Sequence, residues 1–249
     1  GAALALGPTD RGGGGGAWSG LHAAAEPAVK GLWEALALLL SSEAALGTPE
    51  GYIHDVRDVA REVICRVFEA QHGRLVAAFG ARPRDPGAVA AEGRRLLEVI
   101  SDLDALMLTG HSTLLGAWVA AARSWGVTKE EADLYEYNAR NQLTLWGPRG
   151  EIRDYGSKQW AGLIGVFYRG RWAVLTEHLA ARAKDGGDFN ATAVEEAVAA
   201  FEMRWVGARE PHAPMPSGDT LAVARGLVRK YRDFGSGGGE AGGPGWGAE

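Results

Sequence analysis

Three features of this chain predict an all-α fold, an irregular multi-helix bundle. Apolar residues recur at the spacing of a buried helix face almost throughout, several segments open on capping residues, and brief Gly- or Pro-marked breaks separate them. The first clear helix carries Tyr52, Val56, Val59, Val63, Ile64, Val67 and Phe68 on one stripe of a 3.6-residue repeat. Thr48 is expected to accept from its free backbone donors, and Pro49 at the first helical position gives up an N–H that has no partner. Gly80, Pro83 and Pro86 end it. A second helix runs from about Pro86 to Leu108 with Leu96, Leu97, Ile100, Leu103, Leu106 and Met107 inward. A shorter one spans about Ser112 to Trp125 and stops at Gly126. Thr128 with Glu131 forms a capping box that opens a helix reaching about Leu143. Further helices are expected over Tyr155–Ala183, bent at Gly170, over Phe189–Val206, and over Asp219–Tyr231 after the Pro- and Gly-rich loop from Pro211 to Gly218. The alternation of Leu143 and Leu145 before Gly147-Pro148 is the one strand candidate, and it is too short to outweigh the helices.

The ends read differently. Glycine accounts for 37 of the 249 residues, with five in a row at 12–16 and Gly-Ser-Gly-Gly-Gly at 235–239. Such stretches lose much backbone entropy on ordering and bury little, so residues 1–20 and 235–249 are expected to be disordered around one helical domain at 21–234. The chain begins Gly1-Ala2-Ala3 without an initiator methionine and reads as part of a longer protein. A net charge of -5 and a pI near 5.7 supply no basic face, which argues against nucleic acid as a partner. The longest apolar run, Ala35 to Leu40, is too short to span a bilayer. Cys65, the single cysteine, can form neither an internal disulfide nor a structural zinc site, and its helical apolar setting points to a buried inert thiol.

Few residues suggest chemistry. The six histidines (His22, His54, His72, His111, His178, His212) have no metal-ligand spacing, and no phosphate loop or nucleophile elbow is present, so neither metal nor cofactor is implied. Glu130, Glu131, Asp133 and Glu136 read as a solvated, capping-rich helix face rather than a catalytic pair. Trp146 is followed at once by Gly147-Pro148, which cannot continue a helix, so the indole lies at a helix end or on a tight loop. From spacing alone two readings stand: Trp146 and Tyr155 plug a seam between helices, or they offer a flat aromatic platform to a sugar. Asn190-Ala191-Thr192 is an N-glycosylation sequon.

The run from Tyr135 to Pro148 (Tyr-Glu-Tyr-Asn-Ala-Arg-Asn-Gln-Leu-Thr-Leu-Trp-Gly-Pro), continuing through Gly150, Ile152, Asp154, Tyr155, Lys158, Gln159, Ala161, Gly162 and Leu163, carries more information. It closely resembles the C-terminal domain of the α-N-acetylglucosaminidases, glycoside hydrolase family 89. Leu114 to Trp118, Tyr168 with Arg171-Trp172, and Gly218-Asp219-Thr220 are similar in the same order. The likeness is specific over about residues 110–234 and looser over 30–109.

This resemblance implies the all-α third domain of an enzyme whose (β/α)8 barrel is not in this chain. It implies hydrolysis of terminal α-linked N-acetylglucosamine, as in heparan sulfate, with retention of configuration. Both catalytic glutamates belong to the barrel, so no catalytic residue is assigned here. Trp146, Ile152 and Tyr155 match sugar-contacting positions and would form one wall of the cleft. Arg140 is expected to brace the loop, with Asp154 as its partner. A lysosomal, vacuolar or secreted location follows from the resemblance, and with it a use for the Asn190 sequon. The expected partners are an N-acetylglucosaminide glycan and the barrel, and self-association through an uncovered barrel-facing surface is also expected. The competing reading is a non-catalytic helical interaction or carbohydrate-binding module.

Overall fold

The computed structural model describes residues 26–235, so the glycine-rich stretches expected to be disordered at 1–20 and 235–249 lie outside the described residues except for Gly235, which is the last residue of a helix. Among the described residues nine α-helices follow one another: α1 (Glu26–Ser41), α2 (Glu43–Leu46), α3 (Glu50–Gly80), α4 (Pro86–Met107), α5 (Leu115–Arg123), α6 (Lys129–Leu143), α7 (Arg169–Asp185), α8 (Ala191–Gly207) and α9 (Thr220–Gly235). A π-helical turn, Leu163–Tyr168, runs directly into α7. Among the described residues there is no strand; Leu114 and Ala161 form a single backbone bridge. The all-α expectation holds.

The 31-residue α3 is the spine. Six of its seven predicted stripe residues are buried, and the seventh, Val59, is half-buried. It packs against α1, α4 and α9, while α4 carries α7 and the π turn on its other flank. One continuous apolar cluster links these layers, with Phe68 edge-on to Trp172 at 5.0 Å and Phe167 against Trp205 at 4.7 Å. Cys65 lies in that cluster, and burial pushes its thiol pKa up, which keeps it protonated and inert. No helix of the described residues is long and apolar enough to cross a membrane.

The capping signals decide some boundaries and not others. The Thr128–Glu131 box forms as expected, each side chain accepting from the other's end of the first turn. Asn190 caps α8 by accepting from Ala193 N at 3.1 Å, which starts that helix two residues later than Phe189. The Thr48 cap does not form, because Pro49 is extended (ψ 147°) and itself occupies the cap position before Glu50. Helix α5 begins at Leu115 rather than Ser112, since the Thr113 hydroxyl donates to Met107 O at 2.7 Å and its carbonyl accepts from Ala161 N at 2.8 Å. Helix α9 extends to Gly235, but its helical dihedrals break at Tyr231, the expected end.

The long helix expected from Tyr155 to Ala183 is the main correction. Residues 144–162 are irregular, and the chain re-enters helix through the π turn. Gly162 stands at φ 86°, and the Asp104 carboxylate of α4 accepts from Gly162 N and Gly165 N, both at 2.7 Å. Two donors are satisfied by a side chain 58 and 61 residues away, which substitutes for an ordinary cap. Burial pushes the Asp104 pKa up. Gly170 lies in the first turn of α7, directly after the π turn, and a Cβ there would fall 2.1 Å from the Phe201 ring.

A second close approach carries a prediction. A Cβ on Gly116 would lie 2.2 Å from the Ala213 carbonyl oxygen and 2.4 Å from that of His212, so α5 meets the 211–217 segment backbone to backbone. Backbone cannot swing aside as a side chain tip can. Gly116→Ala is therefore expected to cost about 1 to 3 kcal/mol or more through overpacking. Thermal denaturation checks it; an unchanged melting temperature would show that the two segments separate freely.

Candidate functional site

The irregular segment after α6 holds the exposed aromatic residues. Helix α6 ends at Leu143, and Leu145, half of the strand candidate, turns inward as a buried residue of the loop. Trp146 then stands at φ 47° and Gly147 at φ 142°. A positive φ is uncommon for any residue with a Cβ and a clear outlier for a bulky one, so other contacts must hold it. They come from Asn141, whose side chain accepts from Gly147 N at 2.7 Å and donates to Gly147 O at 2.9 Å. Its carbonyl accepts from Trp146 N at 2.7 Å. One asparagine thus brackets the tryptophan on both sides.

Further along, Ile152 N donates to Leu145 O at 3.4 Å and Asp154 N to Thr144 O at 2.7 Å, folding the loop back on its own start. Trp146 and Tyr155 thereby meet with ring centroids 5.1 Å apart, tilted by 45°. The wall candidates are outward-facing: Trp146 is 38% exposed, Ile152 47% and Tyr155 69%. The reading in which these aromatics plug a seam between helices does not describe them. Below them the loop is dry, with Thr144, Leu145 and Asp154 all buried.

The expected pairing of Arg140 with Asp154 does not form, and each takes another partner. Asp154 does not pair with Arg140; its carboxylate accepts from Arg171 of α7 at 2.6 Å, and Arg171 also pairs with Glu202 of α8 at 2.6 Å. Arg140, fully buried, pairs instead with Glu136 one turn earlier at 2.7 Å and donates to Glu210 O at 2.8 Å, with its guanidinium 4.9 Å from the centre of the Trp205 ring. Arg140 is thus the structural brace that was expected, on a different carboxylate. Glu136 is accordingly not part of a solvated face. It is buried between Arg140 and Arg123, whereas Glu130 and Glu131 are exposed and Asp133 is held down to about 2 by Lys129 and Arg123.

Beside Tyr155 the loop continues into a shallow cleft of about 400 Å³ lined by Asp58, Arg61, Ser157, Lys158, Gln159 and Trp160, among others. Arg61 donates to Gln159 at 2.7 Å, tying α3 to the loop, and Trp160 packs at 5.9 Å from Trp118. Asn141, Asp104, Arg171 and Glu202 were not singled out from sequence as supports of this site. Each lies in a helical pattern where nothing local marks it. Among the described residues no three His, Cys, Asp or Glu side chains converge as a metal site.

Comparison with known proteins now bears on this loop and its scaffold. The family model described as the α-N-acetylglucosaminidase (NAGLU) C-terminal domain matches residues 21–230. The chain belongs to that family. Human α-N-acetylglucosaminidase is 32% identical to this domain over 200 residues, which are 80% of the chain and 27% of the human protein. Among solved structures, a family 89 glycoside hydrolase from Clostridium perfringens in complex with 2-acetamido-1,2-dideoxynojirimycin superposes with a TM-score of 0.67 at 20% identity, covering 80% of this chain and 23% of that one. A variant of the Clostridium enzyme in complex with its substrate GlcNAc-α-1,4-galactose gives a TM-score of 0.70 at 20% identity over 82% and 24%. This α-N-acetylglucosaminidase C-terminal domain therefore spans about a quarter of the length of these relatives, and the structural matches show its helical fold.

Proposed function

We propose that this domain, at residues 21–234, is the C-terminal part of a retaining α-N-acetylglucosaminidase. The enzyme would remove terminal, non-reducing α-linked N-acetylglucosamine from heparan-sulfate-type glycans. One observation carries the reading: Trp146 is held in a left-handed backbone conformation on a buried base, yet its indole and the neighbouring Tyr155 ring are left open. Exposing aromatic surface in strained backbone does nothing for folding, and such strain gathers at binding sites. The family membership and the glycan named for the Clostridium relative supply the ligand class.

In this reading the domain is a wall and not the chemical centre. Retention requires a nucleophilic carboxylate and an acid about 5 to 5.5 Å apart. Three carboxylates of the domain are engaged elsewhere: Glu136 and Glu202 sit in buried ion pairs, and Glu151 accepts from Arg149 N at 3.1 Å. Both catalytic glutamates are assigned to a (β/α)8 barrel. Trp146 would stack on or edge the pyranose, Ile152 would cover the acetamide methyl, and Tyr155 would hydrogen-bond a sugar hydroxyl or steady a catalytic group. Asn190 is exposed, and in a lysosomal, vacuolar or secreted protein its sequon would carry a glycan.

The test compares two forms of the protein on an aryl α-N-acetylglucosaminide. The full-length protein is expected to hydrolyse it with an α-configured first product by proton NMR, and the purified 249-residue chain to give no turnover. A β-configured first product would overturn retention. Turnover by the chain alone, absent from a mock preparation, would overturn the assignment of the acids to the barrel.

A further inference from the structure

The exposed wall must be held by something other than its own burial, and the structure shows what stands beneath it. Asp154, immediately before Tyr155, sits at φ 54°, where an Asp or Asn is tolerated better than most residues. Its amide is fixed to Thr144 O and its Oδ2 to Arg171 Nη1 at 2.6 Å. Arg171 reaches Glu202 with its other terminal nitrogen, and its guanidinium lies over the Phe167 ring at 4.2 Å. Arg153 adds a longer contact of 3.6 Å to Glu202. The side chains of Asp154, Arg171 and Glu202 are 3%, 1% and 2% exposed, so this triad is dry although the ring next to it in sequence is 69% exposed. A planar guanidinium that pairs with two carboxylates at once fixes direction as well as distance.

We propose that Asp154, Arg171 and Glu202 are positioning residues for the sugar-contacting wall. The triad ties the Tyr155 end of the loop to α7 and α8, while Asn141 ties the Trp146 end to α6. The spacing of the two rings is thus set by two separate anchors. This rests on the wall reading given above. It goes further by placing the precision of that wall in a buried ion triad that never touches the sugar.

The test uses the full-length enzyme and Asp154→Asn, which keeps the shape and the tolerated backbone but removes the charge. A wall displaced by a fraction of an ångström misplaces the substrate, so kcat/KM for the aryl glycoside is expected to fall about tenfold in protein that remains folded. Tyr155→Ala should itself lower kcat/KM, and adding Asp154→Asn to it should cost little more, since both act through one ring. Arg171→Lys, which cannot fork to both carboxylates, should behave like Asp154→Asn, and it stands in if that variant does not fold. A variant that melts earlier but keeps kcat/KM within about twofold would show the triad to be a stabilising feature only. Losses that multiply with Tyr155→Ala would also overturn the positioning role. If Tyr155→Ala and Trp146→Ala both leave kcat/KM unchanged, the wall reading fails first, and the triad's proposed role with it.

Discussion

Trp146→Ala in the full-length enzyme is expected to lower kcat/KM for an aryl α-N-acetylglucosaminide by at least about tenfold while moving the melting temperature only slightly. The reasoning begins with exposure. At 38% exposed, Trp146 is not a core residue, and its main intramolecular ring contact is the tilted one with Tyr155. Removing the indole deletes stacking worth about 0.5 to 1.5 kcal/mol beyond area burial, and it frees Tyr155 to drift. The misplacement costs rate as well as affinity, so the loss should exceed what stacking alone provides. Trp146→Gly sharpens the reading, because glycine accepts a φ of 47° without a Cβ clash. It should be at least as stable as Trp146→Ala and equally impaired. A Trp146→Ala enzyme that melts much earlier yet keeps normal kcat/KM when folded would return the residue to a packing role, since truncating a buried Trp costs about 3 to 5 kcal/mol.

The largest stability effect is expected at Arg140. Its side chain is fully buried, it bonds Glu136 through Nε at 2.8 Å and Nη2 at 2.7 Å, and it donates to the Glu210 carbonyl just past the end of α8. Arg140→Met removes the charge and leaves Glu136 with Arg123 as its remaining cationic partner. Removing one member of a buried pair typically costs about 3 to 5 kcal/mol, because the survivor keeps its desolvation penalty. In a domain of this size that is roughly 6 to 20 °C of melting temperature. The double variant Arg140→Met/Glu136→Leu should recover much of the loss, since an apolar pair replaces the ion pair without an orphaned charge. Calorimetry of the two variants decides the point. A double variant as unstable as the single one would place the effect in the lost Glu210 and Trp205 contacts instead.

Much of this architecture was legible because it depends on near neighbours in the chain. The stripe from Tyr52 to Phe68 is a consequence of helical period, and the Thr128–Glu131 box of residues three apart. Trp146-Gly147-Pro148 announced a helix end from the stereochemistry of three residues, and the structure puts that end at Leu143. The exposure of the aromatic loop is continuous with that signal. The three proposed wall positions themselves came from resemblance, since spacing alone left a seam plug and a sugar platform both open.

What tertiary structure decided was the choice among competing polar partners. Asp154 could be assigned to Arg140 or to Arg171 by composition alone; folding placed Arg171, 17 residues away, at 2.6 Å. Glu136 looked solvated because its neighbours in the chain are, and only the packing of α5 and α8 around α6 buried it. The helix expected from Tyr155 was replaced by a loop and a π turn because Asp104, on another helix, satisfied the amides of Gly162 and Gly165. Local pattern sets which segments are helical, because a helix's hydrogen bonds reach four residues. Once a polar group is buried it must find a partner wherever the packed chain offers one, and that distance is not written in the spacing.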